Sequence, residues 1–173
     1  MKGLSDKIKR VWLMRLDSAM LVEKYQDKLF AAAFSVCKNP QDAEDAVQEC
    51  FISYHSSTKE FESEEHIKAW LLRVVINRAK NCCRSLWRRI NVPLDDYAET
   101  LQFECSEDKT LFETVMALPE KYRIVLHLYY YEDYPVREIA AILSLTESNV
   151  KVRLNRARAM LREILKEGWS END

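Results

Sequence analysis

Glycine and proline are scarce in this chain, with 2 and 4 among 173 residues, and hairpin turn signals are correspondingly few. That scarcity excludes an architecture of strands and tight turns, and apolar residues spaced three and four apart dominate instead. The expected fold class is all-α. Gly-rich phosphate loops are missing, and the 3 His, at positions His55, His66 and His127, fall on different expected helices or at their edges. No nucleophile–base pairing is recognisable, so catalysis is not expected. The 5 Cys are odd in number and scattered as Cys37, Cys50, Cys82, Cys83 and Cys105, without a C-x-x-C pair or a helical H-x-x-x-H. They indicate buried or incidental thiols, not a disulfide framework or a zinc site. No metal, cofactor or small-molecule substrate is expected. The N-terminal MKGLSDKIKRVWLMRL carries charges throughout. It fits neither a signal peptide nor a membrane span, which predicts a cytoplasmic protein with no direct membrane insertion.

What the chain does have is sorted charge. The formal net charge of -2 argues against a polycation coating itself in nucleic acid. Yet from Asp42 to Glu65 every charge but Lys59 is acidic, from Lys68 to Arg89 every charge is basic, and from Asp95 to Asp108 every charge is acidic again. Such blocks imply separate surfaces for separate partners. With 47% hydrophobic residues the chain holds enough apolar mass for one compact domain or two small ones.

Taken in order, Leu21, Tyr25, Leu29, Ala33 and Val36 form the stripe of a first helix. Asn39-Pro40 closes it and opens the next, with Asn39 as N-cap, Pro40 in the first helical position and Asp42 at the positive helix end. In the second helix Ala43, Val47, Cys50 and Tyr54 share the core face, opposite Asp45, Gln48, Glu49 and Ile52. An apolar side chain inside an acidic strip suits a docking surface for a basic partner; an ordinary solvated face accounts for the same residues. After the acidic connection KEFESEEH comes a helix without acids, HIKAWLLRVVINRAKNCCRSLWRR, whose core stripe is Ile67, Leu71, Val75, Cys82 and Leu86. Trp70, Arg73, Asn77, Lys80, Arg84 and Arg88 run down its other side, and an indole among cations suits nucleic acid. Trp70 as simple core is the competing reading.

Periodicity fades between Asn91 and Lys109, giving an acidic linker between a domain over residues 1–90 and a second over 110–173. With no obvious interdomain patch, variable domain placement is expected. In the second domain Leu118-Pro119 breaks a helix, and Ile124, Val125, Leu128 and Tyr129 form a stripe expected to pack on a pair of helices nearer the C-terminus. The pair consists of a short helix with Ile139, Ile142 and Leu143, a break at Ser144 to Thr146 with Thr146 as N-cap, and a longer helix buried through Val150, Leu154, Ala157, Leu161 and Leu165. The tail after Leu165 is expected to fray. Ser148, Val152, Asn155 and Arg156 lie on the outer face, flanked by Lys151, Arg153, Arg158 and Arg162. Two helices, a tight turn and a cationic outer face are the parts of a helix-turn-helix; a solvated basic face of a bundle helix is the plainer reading.

The stretches NPQDAEDAVQECF, AWLLRVVINRAKNCCR, LPEKYRIVLHLYY and REIAAILSLTESNVKVRLNRARAMLREIL, in that order, resemble the RNA polymerase sigma-70 family, in its short extracytoplasmic-function group. The resemblance implies a region 2 domain, a region 3.2-like linker over residues 91–109 and a region 4 domain, without region 1.1 or a separate third domain. It implies promoter-specific initiation with core RNA polymerase, contacting the beta-prime clamp helices and the beta flap, and control by an anti-sigma factor. By position, Asp45, Gln48, Glu49 and Ile52 match the polymerase-binding surface. Trp70, Arg73, Asn77, Lys80, Arg84 and Arg88 match the segment that engages and melts the minus-ten element, and residues 59–65 match the loop that reads a flipped base. Lys151, Val152, Asn155 and Arg156 match readers of the minus-thirty-five element, with Ser148, Asn149, Arg153 and Arg158 on its backbone.

The chain departs from the family pattern at Pro135, which replaces a small capping residue, at Ser144 in place of a turn Gly, at TESNV, and at Val152, often Ser. A sigma-like DNA-binding regulator that is not a polymerase subunit is the alternative; it would have no need of the acidic strip.

Overall fold

A computed structural model describes residues 14–86 and 106–170, with side chains over 14–83 and 109–166. The N-terminal lead-in and most of the acidic linker fall outside them, as do Arg88 and the side chain of Arg84. Seven α-helices are described: α1 Ser18–Cys37, α2 Pro40–Ser56, α3 Glu64–Leu86, α4 Ser106–Ala117, α5 Glu120–Leu126, α6 Val136–Leu143 and α7 Glu147–Ser170. None of them is long and apolar enough to cross a membrane.

The boundaries follow local chemistry. Asn39 accepts the Asp42 N–H at 3.0 Å with Pro40 opening α2, and Lys38 closes α1 in the left-handed conformation at φ 57°. Helical order resumes at Ser106, inside the expected linker. Helix α7 is described as far as Ser170, past Leu165, where fraying was expected to begin. Pro135 precedes α6 without a side-chain cap; its carbonyl accepts from Glu138 and Ile139, which suffices to start the helix.

Helices α1, α2 and α3 pack together as the first domain, burying Leu21, Leu29, Ala43, Cys50, Tyr54, Ile67, Leu71 and Val75. The connection before α3 is pinned, not free. Phe61 is fully buried and pairs with Met14 in an antiparallel bridge. Arg15 stacks on the Tyr54 ring and its guanidinium hydrogen-bonds the carbonyls of Tyr54 and Ser57, occupying acceptors that α2 leaves open at its C-terminus. In the second domain α5, α6 and α7 bury Ile124, Val125, Leu128, Ile139, Ile142, Val150, Leu154 and Ala157.

The two domains share one continuous core, where the sequence offered no obvious interdomain patch. Helix α1 ends with carbonyls that have no partner within the helix and with the negative end of its dipole. Arg123 of α5 supplies the missing donors, from Nε to Ser35 O at 2.7 Å and from a terminal nitrogen to Val36 O at 2.8 Å, while its remaining nitrogen bonds Leu118 O. Beside it Phe34 of α1 stacks on Phe112 of α4 at 6.5 Å. Lys68 of α3 meets the buried Glu132 at 2.6 Å. A second domain thus caps a helix of the first.

Beyond α5 the backbone widens into a π-helical segment, His127–Tyr131, closed by Glu132 N–H to His127 O. His127 is buried there, its ring stacked on Tyr131, and its Nε2 has no hydrogen-bond partner. The nearest carboxylate oxygen, on Glu132, stands 3.9 Å away. Burial pushes the imidazole pKa down from 6.5 to about 4, against the opposing pull of Glu132. With the folded value below the unfolded one, the unfolded chain takes up the proton first. The neutral ring's contribution is therefore complete above pH 6.5 and is lost as pH falls from there toward 4, by roughly 3 kcal/mol in all. Urea unfolding at pH 7 and pH 4.5 should show a larger acid loss for the wild type than for His127→Phe, which has no proton to gain; equal losses would contradict the assignment.

Candidate nucleic-acid and partner interfaces

Helix α7 presents the cationic face the sequence predicts. Thr146 caps it, accepting the Asn149 N–H at 3.2 Å. Val150, Leu154 and Ala157 turn inward, leaving Ser148, Asn149, Lys151, Val152, Asn155 and Arg156 exposed and Arg153 and Arg158 partly exposed. Val152 is 45% exposed, an apolar spot among donors. Ser144, the turn residue between α6 and α7, adopts φ 55°. That left-handed geometry explains why glycine suits the position, at a penalty of roughly 1 kcal/mol for a residue with a Cβ.

Two of the arginines are pre-positioned. Arg153 donates to the Asn149 side chain at 2.7 Å. Arg158 donates to the Tyr130 hydroxyl at 2.8 Å and lies over the Tyr129 and Tyr130 rings. The Arg156 guanidinium beside Tyr122 holds the phenol below its usual range. An open groove of about 480 Å3 runs between Lys121 and Tyr122 of α5 and Ser148, Val152 and Arg156 of α7. Lys121, Tyr122, Tyr129 and Tyr130 were not among the predicted site residues. The aromatic run at 129–131 was the available signal, but its stripe pointed only to core.

On α2, Asp45, Gln48, Glu49 and Ile52 are all exposed, Ile52 at 63%. Cys50 and Val47 turn into the core, so the strip rests on a fixed helix. Glu49 pairs with Arg78 of α3 at 3.2 Å, leaving Asp45 as the unpaired carboxylate nearest Ile52 among the predicted strip residues.

The candidate face of α3 is divided. Trp70 is half-buried, its ring edge-on to Tyr54 and Phe61 at 6.1 and 5.7 Å, so the indole belongs partly to the core. Asn77 is exposed. Arg73 donates to the Ser144 hydroxyl at 2.7 Å and Lys80 stands 3.8 Å from Glu120, both partners lying in the second domain. Lys68, also absent from the predicted set, is engaged by Glu132 in the same way. The basic side of α3 therefore faces hydroxyl and carboxylate oxygens of the second domain, groups of the kind that a phosphate backbone would offer.

Two family models match the chain. Sigma-70 region 2 covers residues 21–89, and the model described as Sigma-70, region 4 covers residues 109–161. The RNA polymerase sigma factor SigV of Bacillus subtilis (strain 168) is 31% identical over 156 residues, spanning 86% of this chain and 92% of the relative. The ECF RNA polymerase sigma factor SigW of the same organism is 26% identical over 173 residues, spanning 86% and 89%. Among solved structures, CnrH in complex with the cytosolic domain of CnrY aligns with a TM-score of 0.64 at 26% identity, covering 87% of this chain and 88% of that one. The sigma factor RpoE of Bartonella quintana, in complex with the anti-sigma factor NepR, aligns with a TM-score of 0.69 over 86% of this chain and 96% of that one; at 22% identity the likeness concerns the fold alone.

Proposed function

Because the chain belongs to the sigma-70 family of RNA polymerase sigma factors, in its extracytoplasmic-function group, we propose that it binds core RNA polymerase and directs it to one class of promoter. Region 4 reads the minus-thirty-five element and region 2 engages and opens the minus-ten element. The observation that carries this reading is the pairing of two exposed faces of opposite character, the acidic strip of α2 and the cationic face of α7. A DNA-binding regulator would need only the second.

In this reading Asp45, Gln48, Glu49 and Ile52 dock on the beta-prime clamp helices, and region 4 meets the beta flap. Lys151, Val152, Asn155 and Arg156 face base edges in the major groove, where Asn and Arg have suitable donors and Val152 offers contact to a thymine methyl. Ser148, Asn149, Arg153 and Arg158 hold phosphates, Arg158 being pre-aimed by Tyr129 and Tyr130. In region 2, Arg73, Asn77, Lys80, Arg84 and Arg88 attract the backbone while Trp70 offers the exposed part of its ring to an unstacked base. Because Arg73 and Lys80 hold Ser144 and Glu120 in this arrangement, promoter opening requires the domains to part there. The chain performs no covalent chemistry of its own, and control by an anti-sigma factor belongs to the same reading; RpoE, which shares its fold, is held by the anti-sigma factor NepR.

Gel filtration tests the reading: the purified chain, free of any inhibitor, should co-migrate with bacterial core polymerase, and separate elution would count against it. For the minus-thirty-five contacts, Arg156→Ala should weaken binding of a cognate duplex by about 1–3 kcal/mol and relax preference at one base pair. Arg158→Ala should instead lower the salt dependence by about one counterion across sequences. Fluorescence anisotropy across a salt series separates the two, and identical effects would overturn the division of roles.

A further inference from the structure

Residues 57–60, after α2, lie outside any helix or strand, yet one side chain from ahead of α1 gathers their carbonyls. The terminal nitrogens of Arg15 donate to four of them in and before this loop: Tyr54 O, His55 O at 3.3 Å, Ser57 O, and Lys59 O at 3.2 Å. The C-terminal end of a helix lacks donors and attracts a cation, and a guanidinium presents several donors in one rigid plane. That plane stacks 4.5 Å from the centroid of the Tyr54 ring, which fixes its orientation.

The backbone on both sides of Arg15 is held as well. The Met14 N–H donates to Phe61 O at 2.8 Å, and the Phe61 N–H donates to Met14 O at 3.2 Å. The buried Tyr54 hydroxyl accepts the Leu16 N–H at 2.9 Å and donates to Leu16 O at 3.1 Å. Residues 14–16 thus form a strap across the end of α2 and the loop that follows it. The inner and outer sides of that loop differ. Phe61 is fully buried and edge-on to Trp70 at 5.7 Å, whereas Thr58, Lys59, Glu60 and Glu62 are exposed. The strap therefore fixes a row of exposed polar side chains relative to the Trp70 indole. A groove of about 470 Å3 lies between strap and loop, so the loop has room to shift once the strap lets go.

We propose that Arg15 is a positioning residue for promoter reading: by tying the end of α2 and the next loop to the strap, it sets the shape in which residues 59–65 meet an unstacked minus-ten base. The inference rests on the sigma reading and deepens it. The Arg15 donors are engaged by carbonyls, so the residue acts through the loop and leaves the base contacts to the exposed side chains. A loose loop must be ordered as the base arrives and can adapt to several bases. A loop already held discriminates, because a base that leaves its polar groups unpaired cannot be accommodated by rearrangement.

The test uses holoenzyme assembled from bacterial core polymerase and the full chain, with RNA 5′ ends mapped on fragmented DNA from the source organism. Arg15→Ala should keep core binding and the wild-type circular dichroism while losing about tenfold of the base preference at one minus-ten position, the others being unchanged. Arg15→Lys keeps the charge without the planar fork and should recover only part of that preference. Hydrogen exchange should show the Phe61 amide opening about tenfold faster in Arg15→Ala than in the wild type. Start sites with the same minus-ten motif for Arg15→Ala, an equal loss on every sequence, full recovery by Arg15→Lys, or unchanged exchange at Phe61 would each overturn the proposal alone. A wild type that initiates nowhere would instead remove the sigma reading, and this role with it.

Discussion

Arg123→Ala should unclasp the two domains and destabilise their closed arrangement by about 3 kcal/mol, since hydrogen bonds from charged groups contribute roughly 1.5–3 kcal/mol each and the substitution removes several. The three acceptors, Ser35 O, Val36 O and Leu118 O, are backbone carbonyls that no side-chain change can remove. Burying a guanidinium costs several kcal/mol, and exchanging a whole buried ion pair for apolar residues is often harmless. Here only the donor half is exchangeable, so the carbonyls must stay unmet or draw in water, and either outcome loosens the interface. Scattering should show a larger radius of gyration for the variant, and thermal unfolding should separate into two steps. An unchanged radius and a single unshifted transition would show that Arg123 is not the clasp.

Asp45→Arg should lower affinity for core polymerase by about 100-fold, or roughly 3 kcal/mol, while leaving the fold intact. The side chain is exposed and lies beyond the first turn of α2, so its helix needs it neither for packing nor for capping. Reversing its sign places a cation where the proposed partner surface expects an anion, and close charge pairs at interfaces couple by about 1.5–7 kcal/mol. The exposed Ile52 would still bury apolar area, which is why the loss is bounded. Circular dichroism and melting temperature should match the wild type. Unchanged affinity for core would favour the DNA-binding regulator instead.

Legibility in the sequence tracked the range of the interaction. The α1–α2 boundary was readable because Asn39, Pro40 and Asp42 act within one turn of each other. The helix-turn-helix was readable for the same reason, since Thr146 caps its own helix and Val150, Leu154 and Ala157 keep one period. The domain interface was not. Arg123 looks like a lone cation in the apolar run YRIVL, and nothing local says that two of its three partners lie 87 and 88 residues away. The π-helical segment was hidden as well, because one residue too many in a turn leaves the apolar pattern nearly unchanged. Trp70 was ambiguous by nature: a residue at the edge of a stripe packs with one side of its ring and exposes the other. The acidic strip was legible as a pattern, and its exposure is seen in the structure; its partner rests on the family.

Transcription in vitro tests the central claim most directly. Sigma-free core polymerase, the purified chain and fragmented DNA from the source organism are combined, and RNA 5′ ends are mapped. The account predicts discrete start sites that share upstream minus-ten and minus-thirty-five motifs and vanish when the chain is omitted. Initiation no different from core alone, with folded protein and a cognate core, would contradict it.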